Sequence, residues 1–529
     1  MPPFRHHRLV VAAALAVFLG RIVATYPVFN DTFDEAGHLR AGLELLQKRR
    51  YTIQAEQPPL GTAVLAALPY ALAGLRLSGH NELLGRGPWG TRETAYYWRT
   101  LALARAGNLL WAAVLFWFVW RFSRDLYGDG AAAAAAALVA CCPSVIALAS
   151  LATLDIGSAA TVVMAAYYFR RWSREPGYRY CLASAAAFGL AALTKISALF
   201  FLPLILAAYF LAARRGPSAA GARQAAVFTA AAFLVIWAGY LFEVGEIIPD
   251  GHHYTTQFDG GMGKGPPRLL LSSLGTTPLP AHRFLHGIIE VLAHNQQGHR
   301  AYLLGQVSWS GWWYYFPVAL AVKATLPLLA LAALGTALAP RAALYPLLAA
   351  AAVLAPAMTS HLNIGVRYVL AVFPMLAVAA SGVFAAKRPR WLAAAALGLI
   401  GWHAAESIAA HPDYLPYFNQ VARGREDQFL ADSNLDWGQD LARLARYLDA
   451  RGIETVHLEY FGATKPERLG IRAAHPHPGE RPEGWTAVSL SSIATDPEGL
   501  GWLRERRPEA RIGKSILLFR GLGPPPPAP

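Results

Sequence analysis

Cysteine is nearly missing from this chain, with three in 529 residues. Cys141 and Cys142 lie inside one apolar block, Cys181 opens another, and no CxxC pair occurs. A disulfide framework and a thiolate metal cluster are thereby excluded. Charge is scarce too: Asp, Glu, Lys and Arg make up 15% of the chain, against 55% hydrophobic residues and a mean hydropathy of +0.31. Soluble domains carry about 25% charged residues, so a soluble globular enzyme is excluded. Acids are the rarer sign, 33 against 47 Lys plus Arg, for a net charge of +14. That excess forms no basic nucleic-acid motif and sits largely in short loops between apolar blocks. A Gly-rich nucleotide-phosphate loop is also lacking, and no internal repeat is evident.

What recurs instead is an apolar block near 20 residues, the pattern of a polytopic α-helical membrane protein. About eleven spans are expected, near 9–29, 100–120, 131–150, 155–170, 181–195, 196–213, 224–243, 313–338, 342–360, 368–386 and 391–410. The opening MPPFRHHRLVVAAALAVFLG reads as an uncleaved signal anchor with a cytoplasmic start. Leu60 to Leu77 either spans or lies along the surface. Loop charge decides: if it does not span, Arg121 and Arg124, Arg170 to Arg179, Arg214 to Arg223, Arg341, and Lys387 to Arg390 all fall inside. It is therefore expected as a juxtamembrane helix of the first outer loop.

That loop concentrates acids. Asp34, Glu35 and His38 share one helical turn, and Glu56 precedes Pro58-Pro59. Such acids are either a solvated helix start or a site, with one acting as general base toward a hydroxyl or amine. Asp155 stands at an outer boundary, as an N-cap or as part of the same site. Lys195 and Arg367 are outer-boundary cations, either snorkelling or holding a phosphate. The long outer loop from Glu243 to about Trp312 carries His252, His253, His282, His286, His294 and His299. A divalent metal on His252–His253 or on His282/His286, with Glu56 and His253 as the candidate ligands, is one option there, and solvated histidines the other. WSGWWYYF reads as an interfacial aromatic belt.

After about His411 charge rises. Residues 1–410 are expected as the membrane domain, 411–522 as a small outer α/β domain, and 523–529 as a disordered Pro-rich tail. DSNLDWGQDLARLARYLDARG reads as a helix with a Gly stop and PEGLGWLRERRPEA as another. TVHLEYFG, TAVSLSSIA and SILLFRG read as strands. Asp432, Asp436 and Trp437 either roof the cleft or serve capping and packing.

The motifs FDEAGH, EQPPLG, GWWYYFPVALAVKATLPLL, HLNIGVRYVLAVFP and DSNLDWGQDL, over residues 9 to 450, resemble the GT-C membrane glycosyltransferases. The branch they are similar to is family 39, with its protein O-mannosyltransferases, aminoarabinose transferases and bacterial phospholipid-carrier-dependent enzymes. The resemblance implies a polyprenyl-phosphate sugar donor in the outer leaflet of a bacterial cell membrane. It implies inverting transfer to an outer acceptor, a protein hydroxyl or a lipid or glycan. It assigns Asp34 as base with Glu35 beside it, Glu56 and His38 to the acceptor side or a metal, Asp155 to the donor-side loop, and Lys195 and Arg367 to the phosphate. Two departures stand out: Gln57 replaces the Lys of the aminoarabinose-branch EKPP motif, and no inserted MIR domain is found. The competing readings are a secondary transporter and a non-catalytic assembly subunit of an envelope glycan pathway.

Overall fold

The computed structural model describes residues 4–77, 83–84, 94–214, 219–247, 277–385, 389–474 and 483–521. His252, His253, Arg215, Lys387, Arg388 and the 523–529 tail lie outside these residues. The chain opens with α1 (Phe4–Ala24), α2 (Glu35–Lys48), α3 (Pro59–Leu72) and α4 (Thr94–Tyr127). It continues through α5 (Asp129–Ala140), α6 (Pro143–Ala149), α7 (Asp155–Arg174) and α8 (Tyr178–Thr194).

Among the described residues, five helices are long and apolar enough to cross a membrane: His7–Ala24, Ala95–Tyr127, Gly221–Gly239, Pro340–Met358 and Arg390–Ala409. Two bent pairs raise the number to seven: α5 with α6 at 62°, and Tyr315–Lys323 with Leu326–Leu338 at 106°. The bends fall where Pro143 and Pro327 start the second helix of each pair. Proline has no N–H to continue the previous helix and restricts the residue before it. The sequence count of about eleven treated every apolar block as a straight span. Blocks 131–150 and 313–338 are broken, whereas 196–213 and 368–386 shorten to Ala198–Ala212 and Val372–Ser381. Helix α7 is mostly buried among its neighbours, and a helix surrounded by protein needs no continuous apolar run.

Helix α3 has 14 residues, about 21 Å, which is short of a 30 Å hydrocarbon core. It packs tightly: a Cβ on Gly42 of α2 would stand 2.1 Å from the Thr62 carbonyl, and one on Gly107 of α4 2.6 Å from that of Val64. Small residues let these backbones touch.

Helix α4 runs 34 residues. At its far end Arg171 of α7 pairs with Asp125 at 3.1 Å, and Arg124 with Asp129 at 2.7 Å. Arg105 lies 20 residues earlier, about 30 Å along the axis, beside the first loop. The basic residues Arg124 and Arg171 and that loop therefore lie toward opposite ends of α4.

The C-terminal part holds a five-stranded sheet in the order Ala510–Ile512, Ile516–Arg520, Trp485–Ser489, Thr455–Glu459, Arg472–Ala474. Thr455–Glu459 runs parallel to both neighbours and the other pairs are antiparallel. Thr455–Glu459 and Ile516–Arg520 match the sequence reading, whereas TAVSLSSIA is strand only through Ser489 and continues as a short helix, Leu490–Thr495. The expected helix within 497–510 is instead a short 3-10 turn, Gly501–Glu505. The DSNLDWGQ stretch is not helical beyond Asp432–Asn434, and the helix starts at Leu441. The reason is tertiary: this stretch is buried against the first loop. Asn30 donates to the Gly438 carbonyl at 2.7 Å and accepts from the Ala442 N–H at 3.0 Å. Gly438 allows the turn, with φ +83 and a Cβ position only 2.7 Å from the Phe461 carbonyl.

Candidate active site

The two adjacent acids of the first loop part company. The Glu35 carboxylate is fully buried and takes a bidentate contact from Arg105, Nε to Oε1 and Nη2 to Oε2, both 2.9 Å. It also accepts the N–H groups of Thr32 and Ala152, each at 2.7 Å. Arg105 also donates from Nη1 and Nη2 to the carbonyls of Phe29 and Asn30. With every oxygen engaged, Glu35 fixes the loop to α4 and to the turn before α7.

Asp34 caps the start of α2 in position only, with no side-chain cap bond. Its Oδ2 meets Arg367 Nη1 at 2.6 Å. Burial alone would raise its pKa, but Arg367, with His38 behind it, outweighs this and holds the carboxyl below its usual range. Arg367 sits in a 3-10 turn, Val366–Val369, pinned by the Val366 N–H on Asn434 Oδ1 at 2.9 Å.

A second ion pair stands nearby. Lys195 ends α8, Asp155 starts α7, and Nζ meets Oδ1 at 2.7 Å. An acid at a helix start and a cation at a helix end each suit the helix dipole. Tyr368 links the two pairs: Lys195 Nζ is 4.8 Å and the Arg367 guanidinium 5.3 Å from its ring centroid. A cavity of about 420 Å³ opens there, lined by Glu56, Lys195, Glu290, His294 and Tyr368 among others. Burial, reinforced by Glu290 and Asp34, pushes the Glu56 carboxyl above its usual range. A second cavity of about 190 Å³ abuts it, sharing Ser197, Val291, Leu362 and Tyr368, and is otherwise walled mainly by apolar groups such as Phe200, Phe201 and Phe316.

Of the sequence candidates, Lys195 and Glu56 line the cavity, whereas Asp155, Arg367 and Asp34 reach it through Lys195 and Tyr368. His38 holds Gln54 at 2.9 Å, and burial lowers its pKa. Asp436 is committed to structure: its carboxylate accepts the N–H groups of Gly438 and Ser491, both at 3.1 Å. Asp432 has a left-handed backbone, φ +55, and burial pushes its carboxyl up to about 6 against the pull of Arg367. Trp437 is 2% exposed and stacks on Arg367, 4.3 Å from guanidinium carbon to ring centroid. His253 lies outside the described residues. Among the described residues no group of three His, Cys, Asp or Glu is arranged to hold a metal.

Sequence reasoning missed Arg105, Lys323, Tyr368, Glu290 and His294 as site or framework residues. Arg105 had a signal, since a lone charge inside an apolar block requires a buried partner. Lys323 had the same one. It is buried at the 106° bend, donating to the carbonyls of Leu415 at 2.6 Å and Asn434 at 2.7 Å. Glu290 and His294 lie one turn apart on Helix His282–Gln297, but only the fold shows which face meets the cavity.

Residues 100–241 match the signature of the family described as dolichyl-phosphate-mannose-protein mannosyltransferase. No curated protein sequence matches significantly. Among solved structures, the chain is similar to ArnT from Cupriavidus metallidurans bound to undecaprenyl phosphate, with TM-score 0.53 and 14% identity over 99% of this chain and 100% of that one. Against the apo state of ArnT the TM-score is 0.51, with 14% identity over 96% and 97%. A weaker likeness to AglB from Archaeoglobus fulgidus, TM-score 0.46 at 14% identity over 88% and 61%, carries no weight. The GT-C resemblance read from the motifs is thus borne out at the level of fold: the chain shares the fold of ArnT over 99% of its length, and residues 100–241 match the protein-mannosyltransferase signature.

Proposed function

We propose that this chain transfers a sugar from a polyprenyl-phosphate donor to an acceptor hydroxyl or amine, with inversion, at the outer face of a bacterial cell membrane. The observation that carries the reading is the pair of abutting cavities, one polar with Lys195 on its wall and Arg367 behind Tyr368, the other apolar. A lipid phosphate needs that combination: cations for the headgroup and a greasy wall for the first prenyl units. ArnT, whose fold the chain shares, binds undecaprenyl phosphate.

The chemistry is a single displacement. The acceptor oxygen or nitrogen bonds to the anomeric carbon as the bond from that carbon to the phosphate oxygen breaks. The proton of the acceptor passes to Asp34. The electron pair leaves with the lipid phosphate, whose growing charge Lys195 and Arg367 stabilise in a low-dielectric cleft. Arg367 serves both sides: in the resting chain it holds Asp34, and an arriving phosphate draws it off and leaves the carboxylate more basic. Asp155 holds Lys195 ready, and Glu56, Glu290 and His294 supply polar contacts for the sugar or acceptor. Glu35 acts at one remove, by fixing the loop that presents Asp34. The separation of about 30 Å along α4 between this site and the basic loops supports an outer site under the positive-inside rule.

The test is to incubate the purified protein with several polyprenyl-phosphate sugars and candidate acceptors and to follow free polyprenyl phosphate. Release that needs both acceptor and Asp34 supports the reading. No release from any donor, with no binding of polyprenyl phosphate, overturns it.

A further inference from the structure

Trp437 contacts Arg367 and the residue that precedes Asp34. Its indole covers the Arg367 guanidinium at 4.3 Å. Its backbone carbonyl accepts the N–H of Phe33, the residue before Asp34, at 3.1 Å. The flanking contacts keep it in place. Trp437 N–H bonds to Gln439 Oε1 at 2.7 Å, and Gly438 is clasped by Asn30 and by the Tyr460 hydroxyl. The Phe33 ring stacks on Phe461, centroids 5.9 Å apart at 18°. Thr464 of the same C-terminal segment reaches Asp31 Oδ1 at 2.6 Å. The loop carrying the carboxylate and the turn carrying the guanidinium are thus both docked on one residue of the C-terminal part. That residue is 2% exposed and is not among the residues lining the cavity of about 420 Å³.

We infer that Trp437 is a positioning residue for the transfer proposed above, holding the Arg367 guanidinium in the plane from which it can serve either Asp34 or a phosphate. The inference rests on that reading of Asp34 and Arg367. It gives the C-terminal part a role in building the catalytic site itself, distinct from selecting acceptors. The physical basis is that a guanidinium stacked on an indole keeps its edge donors free while losing rotational freedom, and tryptophan is the strongest such partner. Without the ring, Arg367 tilts, and its bond to Asp34 becomes one of several arrangements. Asp34 also faces His38 on its own helix, Glu56 before α3, Asp155 at the start of α7, His299, Tyr368 and Asp432.

The experiment compares the full-length protein with Trp437→Phe and Trp437→Leu. The first readout is substrate-free: the pH titration of the Asp34 carboxylate by infrared difference spectroscopy, its band identified by loss in Asp34→Asn. Freeing Arg367 raises the titration of Asp34, so Trp437→Leu is expected to move it up by about one pH unit. Trp437→Phe, which keeps a weaker ring face, is expected to move it less in the same direction. The second readout is turnover, with kcat expected to fall about tenfold in Trp437→Leu and to be largely restored in Trp437→Phe. Should Trp437→Leu fail to fold, Trp437→Phe carries the infrared test alone. An unmoved titration in the folded variants overturns the inference. A wild-type protein that releases no lipid phosphate overturns the transferase reading instead, and the infrared result still decides the role of Trp437.

Discussion

Arg367 lies 333 residues beyond Asp34 in the chain, yet its Nη1 stands 2.6 Å from the Asp34 Oδ2. The proposed base and a proposed phosphate-binding cation are therefore partners before any substrate arrives. Bound to Arg367 the carboxylate is a weak base, and it gains basicity only when that cation is drawn elsewhere.

The pH dependence should record this change of partner. With Asp34 as the proposed base, activity is expected to be lost on the acid side as Asp34 takes up a proton. In the free enzyme Arg367 holds the carboxyl below its usual range despite burial, so the acid limb of kcat/KM for the donor is expected below about pH 4. In the donor complex, where Arg367 is proposed to serve the phosphate, the acid limb of kcat is expected at higher pH. Coincident limbs would mean that Arg367 stays on Asp34 throughout.

Asp34→Asn keeps the shape and removes the proposed base. Turnover is expected to drop about 10²-fold or more. Polyprenyl phosphate binding should not weaken, because the Arg367 guanidinium is released. Equal losses in binding and turnover would argue for a binding role.

Lys195→Met is expected to raise the donor KM and the dissociation constant of polyprenyl phosphate by about tenfold or more. Part of this effect reflects the Asp155 carboxylate, left without its cation. Asp155→Asn on the Lys195→Met background should recover some binding. Isothermal titration of the single and double variants separates the contributions.

Glu35→Gln should act on stability. Removing one member of a buried ion pair costs about 3–5 kcal/mol. Burial alone would raise the Glu35 carboxyl, but Arg105 and the Ala152 and Thr32 N–H groups hold it below its usual range. Its stabilisation is therefore complete above the unfolded pKa of about 4.3 and is lost as pH falls toward the folded value. Thermal unfolding in detergent should show that acid sensitivity in the wild type and less of it in Glu35→Gln.

Lys323→Met keeps the apolar stem and removes the ammonium from the 106° bend. It leaves the carbonyls of Leu415 and Asn434 without this donor, at about 1–3 kcal/mol each. A lowered midpoint of thermal unfolding with an unchanged donor KM is expected.

Much of this molecule was legible without coordinates. The scarcity of charge and the recurrence of apolar blocks dictate membrane helices, because burying so many apolar residues in lipid requires only local, one-dimensional information. Asp34, Lys195 and Arg367 stood out because charges are rare in such blocks and the motif order matched a known family. Other features depended on contacts between distant segments. Neighbouring acids such as Asp34 and Glu35 look alike in sequence, and only the position of Arg105 on α4 and of Arg367 after Pro340–Met358 assigns one to the framework and the other to the site. The breaks at Pro143 and Pro327, the non-helical path of DSNLDWGQ and the stacking of Trp437 on Arg367 likewise arise from packing. Burial must satisfy polar groups wherever the chain brings them together, and that geometry is set by the whole fold, beyond the reach of any local pattern.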